Sequence, residues 1–165
     1  MFMLNFTFYY KLIKINSMKK LVLVSIAVLF SAGLFAQGDG FGLGVVFGEP
    51  TGLSAKAWTS EKTAIDAVAA WSFAGAGFFH IHADFLVHNY DLIDVSEGKL
   101  PIYFGIGAYL NFASELGMGV RVPIGLDYQF GGAPLDIFAE VAPGLALLPG
   151  TDFYIGGGIG IRYFF

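Results

Sequence analysis

Residues 116–130 alternate without a miss: Leu116, Met118, Val120, Val122, Ile124, Leu126, Tyr128 and Phe130 interleave with Gly117, Gly119, Arg121, Pro123, Gly125, Asp127 and Gln129. A period of two is the mark of a β-strand, whose successive side chains point to opposite faces. The second face does not suit the surface of a soluble sheet, because it mixes two charges with three glycines and a proline. It suits a barrel in a bilayer, where lipid takes the apolar face and a narrow polar lumen takes small or paired side chains.

The same alternation, punctuated by turn residues, marks eight segments at residues 41–47, 53–58, 64–73, 78–88, 100–111, 116–130, 135–148 and 154–165. Lys56, Asp66, Asp84, Arg121, Asp127, Asp136, Glu140 and Arg162 all fall in one phase, and the other phase carries no charge. One charge facing the bilayer midplane costs about 2–4 kcal/mol, so the uncharged phase is the outer one. A soluble barrel of the lipocalin kind has the reverse arrangement. The expected fold is therefore all-β: an eight-stranded antiparallel up-and-down transmembrane β-barrel with a packed polar lumen. Eight strands leave interior room only for side chains, and the inward set sets many glycines beside Tyr103, Tyr109, Phe138 and Tyr154. An even strand count puts both barrel ends on the periplasmic side, together with the one long connection, residues 89–99.

Hydrophobic residues make up 56% of the chain, yet residues 21–30 form the one helix-like apolar run, which excludes a polytopic helical protein. Lys19 and Lys20 precede that run and Ala36 follows it, the order of a secretory signal peptide at residues 18–36. Residues 1–17 are then upstream sequence from a start codon placed too early, and residues 37–165 are the barrel domain. This domain holds five basic and thirteen acidic residues, a formal charge of −8, so nucleic acid is not a partner. With no cysteine in the chain, disulfides and thiolate metal sites are excluded.

The final segment alternates Ile159, Ile161, Tyr163 and Phe165 and ends on an aromatic residue. It resembles the signal read by the outer-membrane barrel assembly machinery. Residues 48–54 (GEPTGLS), 82–93 (HADFLVHNYDLI), 121–127 (RVPIGLD) and 133–138 (APLDIF) resemble a family of small outer-membrane β-barrel proteins of Bacteroidota and related bacteria. The architecture is similar to that of the OmpA and OmpX membrane domains. The resemblance implies a monomer in contact with outer-membrane lipids and lipopolysaccharide, with a structural or envelope role and no catalysis, open pore or cofactor.

Two other chemistries are compatible with the residues: binding of a small ligand or a metal at the barrel lumen or rim, and lipid modification by an outer-membrane enzyme. His80, His82 and Asp84 share one face of the fourth segment with His88, a set that could offer ligands to a divalent metal, although residues i and i+2 lie about 6–7 Å apart along a strand. Polar filling of the lumen explains the same residues. Ser72 and His80 lie close enough across a hairpin to suggest a lipid-modifying enzyme, but no nucleophile-elbow motif accompanies them. The lumenal charges have a structural reading as ion pairs among Lys56, Asp66, Arg121, Glu140 and Arg162. Five-residue connections in the second and seventh hairpins put Lys56 opposite Asp66 and Glu140 opposite Arg162, with Arg121 opposite Gly107 and near enough to share the carboxylate.

Overall fold

The computed structural model describes residues 40–72, 75 and 77–165; the signal-peptide and upstream-start readings lie outside them. Nine strands form one antiparallel sheet: β1 (Phe41–Gly48), β2 (Thr51–Trp58), β3 (Thr63–Ser72), β4 (Phe78–Asn89), β5 (Ile102–Phe112), β6 (Leu116–Arg121), β7 (Ile124–Gln129), β8 (Leu135–Leu148) and β9 (Asp152–Phe164). Each strand pairs with its sequence neighbour, except that β6 and β7 lie end to end between β5 and β8, and β1 pairs with β9 to close the ring. The ring thus has eight positions. The strand expected over residues 116–130 is divided at Val122 and Pro123 because proline has no N–H to donate to the ladder. The neighbours bridge the gap: Gly105 N donates to Pro123 O at 2.9 Å, and Val122 N donates to Pro143 O at 2.9 Å.

Alternation along each strand sorts side chains cleanly. Leu43, Leu53, Ile65, Phe85, Phe104, Ile106, Val120, Ile137, Ile155 and Ile159 are exposed on the outside, several of them by more than half. Lys56, Asp66, Asp84, Arg121, Asp127, Asp136 and Arg162 are buried inside. Short turns join β1–β2, β3–β4, β5–β6 and β8–β9 at one end. At the other end lie Phe41, Phe165 and residues 90–101. That long connection packs across its end: Lys99 N donates to Gln129 O at 2.9 Å and Asp127 N to Pro101 O at 3.1 Å. Bulky inward rings lie over facing glycines, where a Cβ would collide with them: the Tyr103 ring over Gly125 and the Phe138 ring over Gly160.

The β8–β9 register corrects the sequence-based expectation. Glu140 faces Gly158, and Arg162 faces Asp136. The last pair is Ala146 with Asp152, so the five-residue connection spans residues 147–151, two positions earlier than expected. Sliding a register by an even number of positions keeps every inward residue inward, so the alternating pattern fits both registers and the two differ only in which carboxylate meets the arginine. In β2–β3, Lys56 does face Asp66, and in β5–β6, Arg121 faces Gly107.

Candidate functional site: the lumen

Each lumenal charge stands on an inward strand position, where it must find a partner or be left desolvated. The charges form two layers. In the lower layer, toward the long connection, the Lys56 ammonium donates to Asp127 Oδ2 at 2.6 Å and to His88 Nε2 at 2.9 Å, and lies 3.9 Å from Asp136 Oδ2. Arg162 Nε donates to Asp136 Oδ1 at 3.0 Å and Oδ2 at 3.1 Å, Nη1 donates to Asp66 Oδ2, and Nη2 lies 4.0 Å from Asp127 Oδ1. Two aromatic faces complete the layer: Lys56 Nζ lies 4.3 Å from the Trp58 ring centroid and the Arg162 guanidinium 4.1 Å from that of Phe138. Lys56 therefore turns from Asp66, its neighbour in register, to Asp127 across the lumen, and Asp66 takes Arg162 instead.

The upper layer is built around Arg121. Its Nη2 donates to Glu140 Oε1, Nη1 donates to His82 Nδ1 at 2.8 Å, and Nε lies 3.4 Å from Asp84 Oδ2. Glu140 also accepts from the Tyr103 hydroxyl at 2.9 Å. The expected Glu140–Arg162 pair is thus replaced by two separate ones, Glu140 with Arg121 and Arg162 with Asp136 and Asp66. Asp84, Asp127, Asp136 and Tyr103 belong to the network as much as the five residues singled out from sequence. Their inward phase was visible in the chain, but their partners across the lumen depend on the ring's closure.

His80, His82 and Asp84 are brought together, but in a chain rather than a cage. His80 Nδ1 meets Asn111 Oδ1 at 2.6 Å and its Nε2 lies 2.9 Å from His82 Nδ1. His82 Nε2 lies 3.6 Å from Asp84 Oδ2. The Arg121 guanidinium faces both His82 and Asp84, occupying with a fixed positive charge the space in which a cation would be ligated. Among the described residues no three His, Cys, Asp or Glu side chains are placed to hold a metal ion. Ser72 faces Phe78, and His80 faces Ala70; the serine and histidine are not opposite one another. Ile159, Ile161, Tyr163 and Phe165 project outward from the end of the chain, with the Tyr163 and Phe165 rings 5.1 Å apart.

Above the upper layer the described residues leave a space in the lumen. A cavity of about 300 Å³ has walls that include Val68, Phe78, His80, Tyr109, Phe138 and Tyr154, and Asp66, Arg121 and Glu140 also line it. Glu49 and Asp152, from the β1–β2 turn and the start of β9, stand at its mouth. The lumen is thus a cup, open at the short-turn end and plugged below by the buried Lys56, Asp127, Asp136, His88 and Tyr103.

No protein-family model matches the chain, and no curated protein is similar to it in sequence. Among solved structures it is similar to the N-terminal β-barrel domain of Pseudomonas aeruginosa OprF, with a TM-score of 0.58 and 14% identity, over 77% of this chain and 98% of that one. At that identity the likeness concerns fold, and it supports an OmpA-like β-barrel architecture.

Proposed function

We propose that the protein is an integral outer-membrane β-barrel with a structural envelope role, without an open pore and without catalytic activity. The observation that carries this reading is the distribution of charge around the ring. The outward face is apolar, and the charges within the strands stand in the inward phase, with Asp152 at the first position of β9 lying at the lumen's mouth. In water this arrangement would expose an apolar band larger than monomeric soluble proteins tolerate, whereas in a bilayer it satisfies both faces. The OprF-like barrel fold supports the same placement. Under this reading residues 18–36 export the chain, the alternating terminus at Ile159, Ile161, Tyr163 and Phe165 is read by the barrel assembly machinery, and the barrel is a monomer among outer-membrane lipids and lipopolysaccharide. Membership of the Bacteroidota family of small barrels is part of the proposal and rests on the sequence resemblance.

Fractionation with gel electrophoresis tests the placement. The protein is expected in the detergent-extracted envelope fraction, with an unboiled band that migrates faster than the boiled one; recovery in periplasmic extract without detergent would overturn the reading. The two ion layers close the lumen, so planar bilayers containing the protein are expected to show no stable conductance, and a reproducible unitary current would show that the plug opens. Lipid A mass spectra with and without the gene are expected to match. A mass difference abolished by His80→Ala would establish an enzyme instead.

A further inference from the structure

We propose that the cup at the short-turn end binds a small organic cation, an amine or quaternary ammonium carried on one aromatic or aliphatic body. The proposal rests on the barrel fold and is independent of the membrane placement, so either can fail alone.

Charge selects the ligand's sign. The upper layer sets Arg121 against Asp84 and Glu140, and the lower layer sets Lys56 and Arg162 against Asp66, Asp127 and Asp136. Each layer holds one carboxylate more than it holds lysine and arginine. The mouth adds Glu49 and Asp152, and among the described residues the basic side chains lining the cavity are Arg121 and the histidines His80 and His82. A cleft of one sign with low-dielectric walls focuses its field on an entering counter-ion. Arg121 is already engaged, with Nη1 donating to His82, Nη2 to Glu140 and Nε 3.4 Å from Asp84, so an anion would meet a partly neutralised guanidinium. Among the described residues a bare metal ion has no cage to enter.

The walls select the ligand's body. His80 stacks on Tyr109 with centroids 5.7 Å apart, and Tyr109 meets Tyr154 edge to face at 4.9 Å. Together with Phe78 and Phe138 these rings form the aromatic share of the cavity wall, the kind of surface on which organic cations are held by ring quadrupoles. A volume of about 300 Å³ lies at the lower end of small-molecule sites, which suits a single-ring amine.

Calorimetry on the barrel folded in a nonionic detergent tests the proposal with three probes of similar shape: benzyltrimethylammonium, phenylacetate and benzyl alcohol. Saturable binding is expected for the ammonium alone, weakened about fivefold in the doubly substituted Glu49→Gln, Asp152→Asn protein and weakened further by added salt. Gly156→Phe serves as the blocking variant. A Cβ at Gly156 would meet nothing nearer than Tyr154 Cε2 at 3.7 Å and Ala142 O at 3.8 Å, so the backbone accepts a side chain at this cavity-lining position, and a ring there is expected to obstruct the cup. Binding should vanish in this variant while the heat-modifiable band persists. Heat that survives in Gly156→Phe is partition into micelles, and that result, equal binding of phenylacetate or benzyl alcohol, or the absence of saturation would each overturn the proposal.

Discussion

Arg162→Gln is expected to lower the barrel's unfolding free energy by about 3–5 kcal/mol, the typical cost of removing one partner from a buried ion pair. The side chain is 1% exposed and is the largest of the fully buried ones. Its guanidinium holds both Asp136 oxygens and Asp66, and approaches Asp127. Without it, Lys56 alone would face three buried carboxylates, and the Phe138 ring would lose the cation 4.1 Å away. Urea titration of the folded band in detergent measures the loss, and a midpoint equal to that of the unaltered protein would sink the account. The partner matters as much as the size of the effect. Asp136→Asn combined with Arg162→Gln should cost clearly less than the two single losses together, since residues in one network couple by about 0.5–3 kcal/mol. Glu140→Gln, which acts on Arg121 and Tyr103, should couple to Arg162→Gln more weakly. Equal coupling would favour the register expected from sequence over the one observed.

That contrast marks where the chain stops being legible. The inward phase of Lys56, Asp66, Asp84, Arg121, Asp127, Asp136, Glu140 and Arg162 follows from alternation alone, because a one-residue slip would turn a charge toward the apolar exterior. An even slip has no such penalty, and in β8–β9 both Asp136 and Glu140 are inward carboxylates able to meet Arg162. The choice depends on contacts across the lumen: Arg162 also reaches Asp66 on β3, and Glu140 is taken by Arg121 on β6 and Tyr103 on β5. Such partners lie up to 96 residues apart, and nothing local encodes them. The break at Pro123 was foreseeable from the missing donor, but its bridging by Gly105 and Pro143 was not. The cup has the same character, since its wall joins His80, Tyr109 and Tyr154 from three strands.

Gly44→Ala is expected to prevent ring closure outright. Gly44 lies in β1 opposite Arg162 of β9, on the seam that converts an open sheet into a barrel. A Cβ there would overlap the Ile161 carbonyl oxygen and stand 2.7 Å from the Arg162 Cα. Both are backbone atoms, so no rotamer change relieves the overlap, and the strain exceeds the about 1–3 kcal/mol typical of side-chain overpacking. The cheapest escape is separation of β1 from β9. It would leave two unpaired edges whose N–H and C=O groups have no water to turn to in lipid, and it would pull Arg162 from its place beside Asp66 and Asp136. The altered protein should therefore give no fast-migrating unboiled band and accumulate as aggregate. Gly132→Ala, at a position where a Cβ meets nothing within 4 Å, controls for the loss of a glycine as such and should fold normally. If Gly44→Ala instead folds with an unchanged urea midpoint, the two seam strands are not as close as the structure places them.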